Sequence, residues 1–357
     1  MKSLAFAVLC VSCAVVFNSC KKETTKALKE NWGENASNLA SLSSGPSPNT
    51  LRITTVAGQP FHFGYADGPG SQAMFNYPLG IDLSEDGYLY VADVINDKIR
   101  KIQLSDNSVS TVSIPPAADG STIHNPYVVR LARDGTLNIM QGPNMIWIVK
   151  TDGTVLTPDK PAANATLSPD IERDPSGNFF WIGEVDQTVN PNNTISSKAY
   201  LKKLYVNPVT NVVGSSPLTL NVNGIEQPDR SDFDILDFYP GYNGVKYVVI
   251  NHTKLYALSS AGVFTRIYKD LDLHEIYSIV SSKDSRTIYL AESGQIKCIA
   301  DGVHKFLAGP NPKYHDGRNG FGSEADIFAE KLALSKDENT LYFSDVNTGT
   351  IRKMQLK

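Results

Sequence analysis

The chain has 357 residues, 41% of them hydrophobic, enough for one large domain or two ordinary ones. With 26 Gly, 20 Pro, 16 Tyr and 14 Phe and no long alanine- or leucine-rich stretch, the composition leans toward β structure rather than helix. A net charge of −4 and the lack of any basic stripe argue against a nucleic-acid partner.

The first element is a targeting segment. Lys2 supplies a positive start, and the apolar run "LAFAVLCVSCAVVF" is too short to span a bilayer. The run ends in "FNSC", which resembles a bacterial lipoprotein lipobox with Cys20 as the lipidated residue. That resemblance implies a signal peptide over 1–19, a lipid-modified Cys20, and an outer-membrane anchor facing the periplasm or the cell surface. The polar stretch that follows, closing on "NASNLASLSSGPSPNT", reads as a flexible tether over 20–50. Cys10 and Cys13 would leave with the leader, so Cys298 in "IKCIA" remains alone. No disulfide framework or Cys-rich metal site is then open to the mature chain, and Cys298 reads as a buried small hydrophobe.

From Leu51 to Lys357 short alternating strands recur every 40 to 60 residues or so, a period that in an all-β chain points to a propeller. Asp-Gly steps at Asp67, Asp86, Asp119, Asp134, Asp152, Asp301 and Asp316 supply tight-turn chemistry between several of the runs. Six units align on "YLYVAD", "TLNIMQ", "FFWIGE", "KYVVIN", "IYLAE" and "LYFSD", each with a strand before it and one or two after it. The predicted fold is therefore all-β: a six-bladed β-propeller of four-stranded blades. The chain ends on a third strand, "TIRKMQLK", and begins on an orphan fourth strand, "LRITTVAG". Adding the first to the last closes the ring and pairs an otherwise open sheet edge.

The first and last units carry "TVAG", an Asp-Gly loop, "PLGI", "LYVAD" and "IRKIQL", then "LAG", "HDG", "LYFSD" and "IRKMQL". These resemble NHL repeats, of a kind found in propeller lipoproteins of Bacteroidetes-like bacteria; the four middle units lack most of the signatures. The resemblance implies an interaction platform. Related six-bladed propellers also include lyases and lactonases, often with an axial metal.

Three constellations are candidates for chemistry. The paired Asp-Gly loops place His62, Phe63, Tyr65 and Asp67 beside Tyr314, His315, Asp316 and Arg318, as a small polar ligand would need; the simpler reading is turn-holding Asp and positive-φ Gly. The second strands end in Asp93, Gln141, Glu184, Asn251, Glu292 and Asp345. These form either a cation- or polyhydroxyl-binding collar or six caps on the turns that follow. The inner strands offer Asp82, Arg130, Glu172, Asp237, Ser278 and Ala333 at comparable positions, which predicts a polar, water-filled axis of mixed charge. Arg130 argues there against a catalytic metal. A long loop, Val185–Tyr200, is the one irregularity a closed ring does not require. No nucleophile elbow, P-loop or dinucleotide motif is present, and the histidines lack chelating spacing.

The reading is a lipid-anchored envelope protein whose propeller is a non-catalytic binding platform for a glycan, peptide or protein. The alternative is a lyase or a lactonase/hydrolase with an axial divalent ion. No catalytic residue and no cofactor is assigned, though the resemblance leaves room for Ca2+ or another divalent ion.

Overall fold

Strands such as "KYVVI" are apolar on both faces, and each face has its own destination. The protein is seen in a computed structural model describing residues 50–142, 145–157, 165–176, 179–189, 195–207, 210, 212–226 and 235–357. In it Tyr247 and Val249 pack toward the fifth unit, whereas Val248 and Ile250 pack toward the third. Alternation with period two thus feeds two different cores from one strand.

In chain order, β1 (Arg52–Ala57) comes first, then blade one with β2 (Pro78–Leu83), β3 (Tyr88–Asp93), β4 (Lys98–Gln103) and β5 (Val109–Thr111). Blade two holds β6 (Pro126–Leu131), β7 (Leu137–Gln141), β8 (Met145–Val149) and β9 (Val155–Leu156). Blade three holds β10 (Ala165–Arg173), β11 (Phe180–Val189), β12 (Ile195–Val206) and β13 (Val213–Thr219). Blade four holds β14 (Ile235–Pro240), β15 (Lys246–Ile250), β16 (Lys254–Leu258) and β17 (Phe264–Arg266). Blade five holds β18 (Ile276–Ser281), β19 (Thr287–Glu292), β20 (Gln295–Ala300) and β21 (Val303–Ala308). Blade six holds β22 (Gly320–Phe321), β23 (Ala329–Leu334), β24 (Thr340–Asp345) and β25 (Thr350–Gln355).

These antiparallel sheets make a six-bladed β-propeller, as the repeat predicts. The first strand of each blade touches the first strands of both neighbours, and β23 touches β2, so these six strands line the axis. Hydrophobic residues collect in the wedges between blades. The seam between blades six and one holds Val56, Phe75, Ile81, Leu89, Val91 and Ile351.

Closure takes place as predicted. β1 pairs antiparallel with β25, Ile53 opposite Met354, and the sixth sheet reads β22-β1-β25-β24-β23. Ile53, Phe343 and Met354 are wholly buried there, beside Cys298 of blade five. Cys298 is a buried free thiol, and burial pushes its pKa up to about 11. The two-residue β22 on the outer edge of β1 lies beyond what alternation can reveal.

The segment read as a long loop, Val185–Tyr200, is instead mostly paired strand. β11 and β12 run on as a ladder, with Val185 opposite Ala199 and Val189 opposite Ile195; residues 190–194 lie outside the described residues. Polar composition hides such a hairpin, because the sequence there lacks the apolar alternation that marks a half-buried strand. Cys20, the leader and the tether, up to residue 49, also lie outside the described residues. Among the described residues no helix is long and apolar enough to cross a membrane.

Candidate functional site: an ion-paired axis beneath a funnel

Each inner strand carries a register irregularity near its start, between Pro78 and Ile81 in β2 and between Ile235 and Asp237 in β14, for example. Beyond it the six strands come into phase. Asp82, Arg130, Glu172, Tyr239, Val280 and Ala333 face Tyr90, Asn138, Trp181, Tyr247, Tyr289 and Tyr342 of the second strands. Two residues earlier stand Gly80, Val128, Asp170, Asp237, Ser278 and Lys331. The predicted axial set therefore splits. Asp237 and Ser278 belong to the deeper layer, and Tyr239 and Val280 take the places assigned to them. A two-residue slip keeps every side chain on its original face, so alternation alone cannot detect it.

The deeper layer is held by ion pairs. Lys331 Nζ of blade six lies 3.3 Å from Asp170 Oδ2 of blade three and 3.8 Å from Asp237 Oδ1 of blade four. Arg130 Nη2 lies 3.3 Å from Asp170 Oδ1, and Arg130 Nε donates to Glu172 Oε1 at 3.0 Å. Its Nη1 donates to the Ile81 and Val129 carbonyls at 3.1 and 3.0 Å. Asp170 and Asp237 are buried and Glu172 nearly so. The axis is polar and of mixed charge, as predicted, but at this depth paired side chains bridge it rather than leaving an open water-filled bore.

The same acids also clasp blade to blade. Asp82 Oδ2 accepts the Leu131 N–H at 2.8 Å, and Asp237 Oδ2 accepts the Ile279 N–H at 2.8 Å. Ser278 Oγ accepts the Leu332 N–H at 3.3 Å. Burial of more acid than base has a titration consequence. Burial raises Asp237 well above the usual carboxylate range despite the nearby Lys331, and burial with Asp170 alongside pushes Glu172 up to about 7 against the pull of Arg130. Asp170 moves the other way: burial would raise it, but Lys331 and Arg130 hold it below its ordinary value.

Asp82, Arg130 and Glu172 form the floor of a funnel of about 520 Å³. Tyr239, Tyr242 and Tyr342 stand in its wall, and Arg133, Arg173 and Lys336 lie toward its rim. The funnel opens where the first-to-second strand hairpins gather. That is the face opposite the paired Asp-Gly loops.

Those loops do adjoin: a Cβ on Gly317 would come within 3.0 Å of Pro60 Cβ, and Phe61 N–H donates to Thr348 O at 2.8 Å. Asp67 is taken up by Arg100 Nη2 at 2.6 Å and by the Thr111 N–H and hydroxyl, both at 3.1 Å. Tyr65 OH also reaches Thr111 Oγ1, at 2.9 Å. Asp316 is taken up by Arg318, whose guanidinium stacks 3.5 Å over Tyr314. His62 Nδ1 lies 2.9 Å from Pro60 O, while Phe63 and His315 stay exposed.

The second-strand ends serve as loop holders. Asp93, Gln141, Glu292 and Asp345 accept the N–H of Asn76, His124, His274 and Phe328 at 2.7, 2.9, 3.1 and 3.2 Å, each within its own blade. Glu184 pairs with Lys202 across its sheet, and Asn251 occupies a left-handed turn at φ 49°. Two arginines escaped the sequence reading. Arg100 pairs with Asp93 at 2.7 Å and Arg352 with Asp345 at 3.1 Å, all four side chains fully buried. The available signal was an Arg seven residues after the Asp in both NHL-like units.

Fold and axis together define a six-bladed propeller whose axial carboxylates are engaged by Arg130 and Lys331. No family model matches the chain, and no curated protein matches it. Solved structures do. A protein of Bacteroides thetaiotaomicron described as an auxiliary nutrient binding protein is 14% identical, with TM-score 0.60 over 85% of this chain and 76% of its own. A gluconolactonase from Xanthomonas campestris is 11% identical, with TM-score 0.55 over 89% and 93%. Regucalcin from Agrobacterium tumefaciens, described as a calcium-binding protein, is 12% identical, with TM-score 0.51 over 82% and 95%. At these identities the likeness shows the fold alone.

An axial divalent ion can be tested against the donors present. Asp170, Glu172 and Asp237 each offer an oxygen, all within 4.8 Å of one another, the hard-donor set that Ca2+ or Mg2+ takes. Arg130 and Lys331 already engage those carboxylates, and an added cation would stand beside both of them. The residues present do not fit the ion.

Proposed function

We propose that the chain is a cell-envelope lipoprotein, anchored through Cys20 and displaying its propeller on the 20–50 tether as a non-catalytic binding platform. Its partner is a glycan, peptide or protein, and the hairpin-face funnel is where a small ligand would sit. One observation carries the reading: the axial carboxylates are committed to Arg130, Lys331 and backbone N–H groups, while tyrosines and exposed donors and acceptors line the cavity above them. Aromatic walls with a few polar groups suit the apolar and hydroxylated faces of a sugar. The shared fold of the Bacteroides nutrient-binding protein agrees with it.

The test is calorimetric titration of the full chain with envelope oligosaccharides. Tyr242, half exposed in the funnel wall, is the probe. Tyr242→Ala should weaken saturable binding roughly tenfold, about 1.4 kcal/mol. A second reading, a lyase or hydrolase, rests on Glu172, whose pKa of about 7 at the funnel floor suits a general acid or base. Turnover of a bound ligand that is lost in Glu172→Gln would favour the enzyme and overturn the binding platform.

A further inference from the structure

The mismatch between the axial carboxylates and a metal has a definite form. Three carboxylate oxygens within 4.8 Å of one another span about the distance that oxygens bound to one Ca2+ span, given bonds of roughly 2.3–2.6 Å. Their formal charge as carboxylates is −3. Arg130 and Lys331 bring +2 to the same three groups, which is the charge of a divalent ion. Lys331 does so from the far side of the ring, reaching Asp170 and Asp237 from blade six. We propose that Lys331 is the resident cation of this axis: its ammonium takes the place of a divalent metal between Asp170 and Asp237. Asp237 has a second task, accepting the Ile279 N–H, which holds its carboxyl in place whether or not an ion is bound.

The proposal predicts a latent metal site. Removing the ammonium leaves three acidic side chains against Arg130 alone, formally two charges short when all three are ionised, and a divalent ion would bind by displacing the protons that burial keeps on Asp237 and Glu172. Removing the side chain also opens the axis next to the site, because Lys331 is the group that crosses it. The inference goes beyond the binding reading and does not depend on it, since its measurement is cation uptake rather than ligand affinity.

The experiment uses the full chain with Ca2+ and Mn2+ as probes, followed by calorimetry and by metal analysis after gel filtration. The wild type should take up no ion at the axis. Lys331→Ala, and Lys331→Met as the volume-preserving variant, should each gain about one ion per chain and a cation-dependent rise in melting temperature. Adding Asp170→Asn to Lys331→Ala should abolish the gain. Stoichiometric uptake by the wild type that Asp170→Asn or Asp237→Asn removes would overturn the proposal. So would folded Lys331 variants that bind no ion. Should both variants unfold, the wild-type titration decides alone, with absence of uptake supporting the resident ammonium.

Discussion

Lys331 of β23 and Asp170 of β10 stand in opposite blades, and their charged atoms meet across the axis at 3.3 Å. Such a pair adds little net stability by itself, because both ions surrender their hydration to form it. Its effect is one of specification. Once formed, either partner left alone would be an uncompensated buried charge, so blades three and six are locked to one distance. Asp170 also receives Arg130 from blade two, and Asp237 of blade four shares Lys331. A polar hub thereby joins four of the six blades, while the apolar wedges hold each blade only to its two neighbours.

The hub should leave a mark on stability versus pH. Burial pushes Glu172 from an ordinary 4.5 up to about 7. Between those values the folded protein keeps a proton that the unfolded chain has lost, so stability falls as pH rises through the window. The decline should amount to on the order of 2–3 kcal/mol. Asp237, also raised, acts in the same direction. Asp170, held low, acts oppositely but at acid pH, below its ordinary value of 3.8. Urea midpoints measured from pH 5 to 8 should drop with rising pH, and drop less steeply in Glu172→Gln. A wild-type profile that rises over this range would contradict the assignment.

The buried Arg100–Asp93 and Arg352–Asp345 pairs should be costly to break. Arg100 also donates to the Met74 and Ala66 carbonyls, and Arg352 to those of Asp326 and Arg318, so each guanidinium organises the long loop entering its blade. Arg100→Ala should lose about 3–5 kcal/mol, since buried Asp93 loses its counter-ion and keeps only the Asn76 N–H and the Asn96 amide. Arg100→Ala with Asp93→Ala should cost less than the sum of the single changes. Denaturant unfolding of the four proteins checks both statements, and strict additivity would show the pair to be uncoupled.

These arginines also show where sequence reading stops. Blade number, blade order and closure by β1 were all legible, because each depends on local alternation and on which strand each end of the chain lacks. The axis was legible only in part. Asp82, Arg130 and Glu172 emerged as one layer, but Tyr239 and Val280 were displaced by Asp237 and Ser278, two residues out of phase. Lys331 was missed entirely, because its partners come from blades three and four, and no spacing along the chain encodes a meeting across a ring. The funnel face escaped for a related reason. A cavity depends on which hairpins leave space at the axis, and Ser84–Gly87, Arg133 and Asp174 look like ordinary turns in the sequence.

The proposed anchor at Cys20 is open to a direct test. Cys20→Ala should move the protein from the membrane fraction to the soluble fraction while leaving the propeller's melting temperature unchanged. Retention in the membrane would overturn the anchor.

Gly80 tests the close packing of the axis. It lies in the deeper layer, where blade one meets blade two, and a Cβ there would fall 2.4 Å from Tyr127 O and 2.8 Å from Val128 Cα. Both are backbone atoms of β6, so no rotamer change can relieve the overlap and the two inner strands must separate. That movement would also stretch the Asp82–Leu131 hydrogen bond, 2.8 Å long, and the hold of Arg130 on the Ile81 carbonyl. Gly80→Ala should therefore cost about 1–3 kcal/mol. Gly87→Ala is the contrasting change: its Cβ meets open space and only its φ of 87° resists, at about 1–2 kcal/mol. The two separate by where they act. Gly80→Ala should disturb Glu172 at the adjoining axis and shift the pH at which the stability curve breaks, whereas Gly87→Ala should lower the whole curve without moving the break. Equal curves for the two variants would mean that blades one and two approach less closely than 2.4 Å implies.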